Sequence, residues 1–381
     1  MTIAQLAKVT GRSRPTVDGS LGYLVELGLV SIADESVGGG RDAGRPAKLF
    51  SFVAGAGVVA GIDVGGHQVR VIAADLAGTL LATDEAALDP GLGGSDALDT
   101  IFALVDRLRE RIGADIPLRG VGIGVTGIVG ADGRVALSYA LPAWNAADVA
   151  SRIRQRYDCP VALENDARMA SMAEHHLGAS TLADNVVYVQ IGHRISTSLL
   201  VGGKVHRGRH HASGEAGYLL FDSIPTDDAS NIVWRTAETA EDVVTRSLKG
   251  DDAAAAELLD FIEALAPGIA ALSLVVDPDL VVIGGGLSQA GAVVIPALQT
   301  AVNAHIRVPA MPTLVQSRLG ADAVVIGGVI RAFELASDQV FGSPDIEPPH
   351  LSLDTILLPP SLRVPTLGDG GRRAHAGEPA S

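Results

Sequence analysis

The chain has a single cysteine, Cys159, in 381 residues. That excludes an internal disulfide and any metal centre built on several thiolates. Aromatic residues make up only 4%, although 47% of the chain is hydrophobic and 45 residues are glycine. The apolar content is therefore mostly Val, Ala, Leu and Ile, the composition of strands buried on both faces in α/β domains. An uninterrupted apolar run of membrane-spanning length is lacking too, because the best stretch, Ile269 to Leu287, is broken by Asp277, Pro278 and Asp279. At the amino terminus Gln5, Lys8, Arg12 and Arg14 interrupt any apolar segment, so no secretory leader is predicted there. Together these absences predict a cytoplasmic protein with no membrane partner.

Positive charge is scarce, with 29 Lys and Arg against 44 Asp and Glu and a net charge of −15. The deficit is uneven. Residues 1–55 hold six basic side chains (Lys8, Arg12, Arg14, Arg41, Arg45, Lys48) against five acidic ones, a net of +1, which leaves −16 for the rest of the −15 total. An acidic body repels phosphate, so contact with nucleic acid is expected only from the amino-terminal piece.

That piece reads as two short helices and a hairpin. Thr2 is a helix cap for an apolar face of Ile3, Leu6 and Ala7, and Gly11 ends the helix. Ser13 caps a second helix with Pro15 in its first turn, where a missing N–H costs nothing. Val17, Leu21 and Leu24 recur at helical spacing and give this helix one buried stripe. Arg12, Arg14, Thr16 and Ser20 fall elsewhere, open to a groove or its flanking phosphates. Strands near Ser31 and Ala47 flank a Gly-rich loop, a wing with Arg41, Arg45 and Lys48 near its tip. This is a winged helix-turn-helix pattern. It begins inside the motif, so a further helix is expected upstream.

The body contains a repeat. Val58–His67 is a strand ending in Asp63 and a Gly65-Gly66 turn, followed by strands at Val69–Leu76 and Leu80–Thr83. About 125 residues on, strands begin at Asn185 and Ser196, with a Gly202-Gly203 turn before Lys204. Each copy continues into alternating helix and strand: Leu98–Arg111 and Gly120–Val125, then Ala253–Val276 and Leu280–Ile283. Duplicated βββαβα halves predict two lobes and a cleft, where glycine-ended strands present backbone N–H groups to an anion.

From about Val58 to Glu334 the chain resembles the ROK family of repressors and sugar kinases, which share the actin/hexokinase-like fold. Five stretches carry the resemblance: Gly61-Ile-Asp-Val-Gly-Gly with Asp75-Leu-Ala-Gly, Gly122-Ile-Gly-Val-Thr-Gly, Leu163-Glu-Asn-Asp-Ala, Ser213-Gly-Glu-Ala-Gly and Val282-Ile-Gly-Gly-Gly-Leu-Ser. The resemblance implies a sugar site of Asn165, Asp166 and Glu215, with Asp166 in the place of the base that deprotonates the sugar hydroxyl in family kinases. Read locally, Asn165 and Asp166 serve as well as a cap for the following helix. By the same resemblance, Asp63 with Gly65 and Gly66 stands near metal-bound phosphates, and Gly284, Gly285 and Gly286 stand near an adenosine. ATP and magnesium are expected only if the chain is a kinase.

Two departures from the family pattern matter. The second phosphate loop, Gly- and Thr-rich in the kinases, reads Gly192-His-Arg-Ile-Ser-Thr, with His193, Arg194 and Ile195 crowding the cradle. The family's zinc-binding cysteine cluster is missing after Gly217-Tyr218, so no structural zinc is expected. His175, His176, His210 and His211 read as solvated surface pairs rather than ligands. The expected organisation is a winged helix-turn-helix over 1–55, a sugar-kinase-like domain over 56–338 with lobes of about 56–180 and 181–338, and a disordered Pro- and Gly-rich tail over 339–381 in which Leu351–Leu358 is a docking strip. The expected role is a DNA-binding regulator, homodimeric or a higher homo-oligomer, whose partners are operator DNA and a small carbohydrate effector. A hexose kinase with an amino-terminal extension and an inert scaffold are the other readings.

Overall fold

The computed structural model describes residues 1–34, 48–145, 147–228, 230–287, 291–309, 311–343 and 346–351. At the amino terminus α1 (Ile3–Thr10) opens with a reciprocal cap: the Gln5 N–H donates to Thr2 Oγ1 at 3.3 Å, and the Thr2 N–H donates to Gln5 Oε1 at 2.8 Å. Gly11, at φ 66°, ends it in the left-handed region that glycine tolerates. Ser13 Oγ accepts the Thr16 N–H and starts α2 (Arg14–Glu26). An antiparallel hairpin of β1 (Val30–Asp34) and β2 (Lys48–Phe52) follows, in register from Val30↔Phe52 to Asp34↔Lys48. Val17, Leu21 and Phe50 form a small core with Ile3, Leu6, Ala7 and Val30 around it. Leu24 leaves the expected stripe and, with Leu29, packs into the core of the body instead. The wing-tip residues Arg41 and Arg45 lie outside the described residues.

The repeat in the sequence becomes two sheets of the same design. The first lobe contains β3 (Val58–Val64), β4 (Gln68–Asp75), β5 (Leu80–Ala87), α3 (Ala97–Ile112) and β6 (Leu118–Val125). A small hairpin of β7 (Ile128–Val129) and β8 (Val135–Leu137) follows, then α4 (Val149–Tyr157), β9 (Val161–Asn165) and α5 (Asp166–Leu177). The second lobe holds β10 (Val186–Ile191), β11 (Ile195–Val201), β12 (Lys204–Val205), α6 (Gly217–Leu220), α7 (Ala240–Leu248), α8 (Asp252–Val276), β13 (Leu280–Gly284), α9 (Gly291–His305) and β14 (Leu314–Gln316). The strand orders are β5-β4-β3-β6-β9 and β12-β11-β10-β13-β14, each with three antiparallel strands followed by two parallel ones.

Helices α3 and α4 cover the outer face of the first sheet through Ile101, Leu104, Leu108 and Ile153. Helices α7, α8 and α9 cover that of the second through Val243, Leu258, Ile269 and Leu298. A third cluster joins the lobes, formed by α5 and α10 (Ala323–Phe341) together with Ile72 of the first sheet and Tyr188 and Val282 of the second. The division into lobes of 56–180 and 181–338 therefore needs correction, because α10 returns to lie on β3 and β6 of the first sheet. The contact is backbone to backbone: a Cβ at Gly122 would stand 2.1 Å from the Gly328 carbonyl oxygen. Replacing Gly122 with Val is expected to cost about 3 kcal/mol of stability, read as a lower urea midpoint. An unchanged midpoint would mean that α10 is free to lift from the sheet.

Two further expectations change. Helix α8 is long and apolar enough, by length and composition, to cross a membrane. Its buried Leu258, Phe261, Ile262, Leu265 and Ile269 recur at three- and four-residue steps inside the second lobe's core, the pattern of a core helix. At the carboxyl end, α10 runs to Phe341, past the boundary expected at 338. Leu351 is buried, and Pro349 O lies 3.2 Å from His176 Nε2. Residues 352–381, with the rest of the expected tail and docking strip, lie outside the described residues.

Candidate functional site

The carboxyl ends of the parallel strands converge on the cleft, the usual place for a ligand in open α/β sheets. Asp63 lies near the end of β3 and is followed by the Gly65-Gly66-His67 turn; Thr126 follows β6; Asn165 ends β9; Gly192-His193-Arg194 follows β10; Gly285 follows β13. Two cavities adjoin there. One, of about 400 Å³, is lined by Ser138, Asn165 and Glu215 among others. The second, of about 300 Å³, is lined by Asp63, Gly65, Gly66, Asp166, Gln190 and Gly285 among others. Thr126, Tyr139, Arg194 and Ser196 line both. The three expected sugar-site residues thus come together across the divide, with Asp166 on one side and Asn165 and Glu215 on the other.

Asn165 plays the local role as well as facing the cavity. Its Oδ1 accepts the Arg168 N–H at 3.1 Å and caps α5, while Nδ2 donates to Gly127 O at 3.0 Å. Asp166 is buried. Its Oδ1 accepts the Ala167 N–H at 2.8 Å, and its Oδ2 accepts Thr126 Oγ1 at 3.0 Å and Gln190 Nε2 at 3.3 Å. Burial pushes its pKa up against these donors and the charge of Arg194.

Asp63 is pushed up to about 7, by burial first, with Asp166 and Asp322 adding to the rise and Arg70 opposing it. Arg70, opposite Asp63 in the β3–β4 ladder, forms a buried ion pair with Asp322 and donates to Ala321 O at 2.8 Å. In the unfolded chain Asp63 ionises near pH 3.8, so folding disfavours its charge. This penalty is absent below about pH 4, grows as the pH rises towards 7, and is constant above that. Asp63→Asn is therefore expected to raise Tm above pH 7, by a margin that vanishes towards pH 4. A pH-independent margin would contradict a raised carboxyl.

Glu215 is held by residues that the sequence reading passed over. Arg168, fully buried on α5, donates to His211 O and Ser213 O, each at 2.9 Å, and to Glu164 Oε1 at 3.2 Å. Glu164 Oε2 accepts Arg207 Nε at 2.6 Å. The segment ahead of Glu215 is so clipped to β9 and α5. Burial raises the Glu215 pKa, and Arg168 opposes the rise. The one available signal was a pair of opposite charges, Glu164 and Arg168, four residues apart across a strand–helix junction whose residues are buried, a place where charges stand only when paired.

The side expected to hold phosphate departs from a bare cradle. The His193 ring stacks on His67 across the cleft, with centroids 4.6 Å apart. Burial lowers the His193 pKa, and His67 and Arg194 lower it further. Ile195 begins β11 and lines the larger cavity instead. Of the three glycines expected near a nucleotide, only Gly285 lines the smaller cavity. A Cβ at Gly284 would stand 2.0 Å from the hydroxyl of buried Tyr188, so packing accounts for that glycine, whereas one at Gly286 would meet the carboxylate of exposed Glu241 at 2.7 Å. His175 and His176 are half-buried rather than solvated, with His175 Nδ1 3.1 Å from Ser180 O. Among the described residues, no three His, Cys, Asp or Glu side chains meet in a way that holds a metal ion. On the amino-terminal unit, Arg12, Arg14, Thr16 and Ser20 are all exposed, Thr16 Oγ1 lying 2.8 Å from Ser13 Oγ.

The two matched sheets and the cleft define an actin/hexokinase-like body of the kind found in sugar kinases and their repressor relatives. The chain belongs to the ROK family, whose model matches residues 59–232 and 227–337. It is 29% identical over 223 residues to the xylose repressor of Bacillus subtilis, covering 58% of this chain and 56% of the repressor, so it spans little more than half of that relative. It is 28% identical over 303 residues to the kanosamine kinase of Amycolatopsis mediterranei, covering 74% of this chain and 97% of the kinase. A solved ROK family transcriptional regulator, a homologue of the E. coli MLC protein, superposes with a TM-score of 0.67 at 19% identity, covering 89% of this chain and 92% of that one. The ROK family glucokinase of Streptomyces griseus, solved with glucose and AMPPNP, gives a TM-score of 0.62 at 21% identity, covering 72% of this chain and 99% of the glucokinase. At these identities the solved structures establish the fold alone.

Proposed function

We propose that the protein is a sugar-responsive, DNA-binding transcription regulator whose kinase-like body binds a carbohydrate effector without phosphorylating it efficiently. The observation that carries this reading is the position of Arg194, which lines both cavities and whose charge acts on Asp166. In a kinase the sugar hydroxyl, the base and the γ-phosphate must be held together. Here the sugar half keeps its polar readers, Asn165, Asp166 and Glu215, while a guanidinium and a stacked histidine pair stand on the phosphate half. Gly65, Gly66 and Gly285 line the cavity wall without side chains of their own, so these residues fit part of a phosphate cradle; His193 and Arg194 do not fit the rest.

The amino-terminal unit supports the DNA-binding half of the proposal, since its second helix presents Arg14, Thr16 and Ser20, with Arg12 in the turn before it, on an otherwise acidic protein. A homodimer would place two such helices on a palindromic operator. Closure of the lobes on a sugar would alter their separation, which gives the effector different affinities for two states.

An ADP-release assay across hexoses, pentoses and amino sugars tests the catalytic half, and no turnover above background is expected. The kinase reading is favoured by one observation, the intact hydrogen-bonded Asp166. Turnover in the usual enzyme range of roughly 1–1000 per second, abolished by Asp166→Asn, would establish it. Zinc is expected to be absent, because among the described residues neither of the histidine pairs has a third ligand beside it. Elemental analysis of untagged protein should find well below one zinc per chain; a stoichiometric content would mean that histidines have replaced the family's cysteine site.

A further inference from the structure

Another concave site lies along β9, the edge strand of the first sheet, and shares no lining residue with either cleft cavity. It has a volume of about 280 Å³, and Arg154 of α4, Arg331 of α10, and Arg207 and His211 of the segment before Glu215 converge on it. A chain with 29 basic and 44 acidic residues so brings three arginines to the wall of one hollow. The acidic groups in the wall are Glu164 and Asp132. Both oxygens of Glu164 are engaged, Oε1 by Arg168 and the Asn165 N–H and Oε2 by Arg207. Asp132 Oδ1 accepts the Arg134 N–H at 3.1 Å.

The arginines keep donors in hand. Arg207 commits its Nε to Glu164 and leaves its side chain 32% exposed. Arg331 pairs with Glu334 through Nη1 at 2.6 Å. Arg154 is exposed and lies within ion-pair distance of no carboxylate among the described residues; its charge acts on Asp148, which caps the same helix and pairs directly with Arg134. Arginines from three different segments lining one small pocket suit a compact tetrahedral dianion better than a neutral ligand.

We propose that this pocket binds a small phosphate-type dianion, free phosphate or a compact phosphate monoester, and that its occupation shifts the segment carrying Glu215. The route is physical. An anion competes with Glu164 for Arg207, and Glu164 also holds Arg168, whose guanidinium fixes the His211 and Ser213 carbonyls. The coupling to a sugar site rests on the function proposed above; the binding of the anion does not.

The test uses the full chain in chloride buffer, with no sugar or DNA present, so its failure is distinguishable from failure of the regulator reading. Calorimetric titration with inorganic phosphate, and separately with glycerol 3-phosphate, is expected to show saturable binding of a single anion per chain. A tighter fit for the ester assigns the pocket to a metabolite ester, and an equal fit assigns it to free phosphate. Arg154→Glu, at an exposed position, is expected to weaken binding by about tenfold or more without lowering Tm. Arg331→Gln is expected to weaken it as well. Amide hydrogen exchange over residues 207–216 should change on adding phosphate to the wild type and not to Arg154→Glu. Absence of saturable binding, binding that Arg154→Glu leaves unchanged, or an exchange response confined to the cleft loops would overturn the proposal.

Discussion

Asp166→Asn is expected to weaken the response to the sugar effector strongly while leaving effector-free operator binding and folding intact. The carboxylate accepts hydrogen bonds from Ala167, Thr126 and Gln190 at the first turn of α5, where a helix amino terminus favours negative charge. A sugar hydroxyl donating to it makes a charge-assisted bond that a neutral amide does not reproduce, so effector affinity is expected to fall about ten- to a hundredfold. Folding should not suffer. Burial already pushes this acid towards its neutral form, and an amide of the same shape avoids that penalty. The diagnostic pattern is an unchanged or higher Tm together with a strongly weakened effector shift in operator titrations. A loss of operator binding without effector would instead give Asp166 a structural role.

The second large effect is expected at the opposite end of the molecule. Arg14→Ala should weaken operator binding by about ten- to a hundredfold if the side chain reads a base, and should relax sequence preference at that position. If it contacts a phosphate, the loss should extend to all sequences, and the slope of log K against log salt should fall by about one. The side chain is exposed at the start of α2, and the small core beneath it is built from Val17, Leu21 and Phe50, so folding is not at stake. Adding Arg12→Ala should deepen the loss. Operator binding of both variants equal to wild type would move the recognition surface away from α2.

Much of the fold was legible because its signals are local or repeated. Strands closed by glycine, occurring twice at one spacing, predicted the matched sheets, and the caps at Thr2 and Ser13 predicted α1 and α2 with their starting residues. The position of α10 was not legible. Its apolar sequence suits any buried helix, and its choice of the first sheet depends on Gly122 meeting Gly328, a fit between distant segments. The boundary at 338 failed for a related reason, since the last turn of α10 and Leu351 are held by contacts with the rest of the body rather than by their own pattern.

The candidate site divides in the same way. Asp63, Asn165, Asp166 and Glu215 were read from short motifs, and the structure brings them to one cleft. The support beneath Glu215 was missed because Arg168 reaches carbonyls 43 and 45 residues away, and no motif marks an arginine for that task. The stack of His67 on His193 was equally hidden, since it exists only once the two lobes face each other. Gly284 carries a second requirement that its motif does not show. Within the run of glycines read as a nucleotide loop, it also leaves room for the buried Tyr188 hydroxyl.

The most direct test is a fluorescence-anisotropy titration of the full chain on a duplex that it has itself enriched from a DNA pool, repeated across a panel of sugars with and without magnesium and ATP. One sugar is expected to shift operator affinity by about fivefold or more, to do so without ATP, and to lose most of that effect in Asp166→Asn. Failure to enrich any duplex, or a sugar effect that requires ATP turnover, would contradict the proposal that this chain is a sugar-responsive DNA-binding regulator.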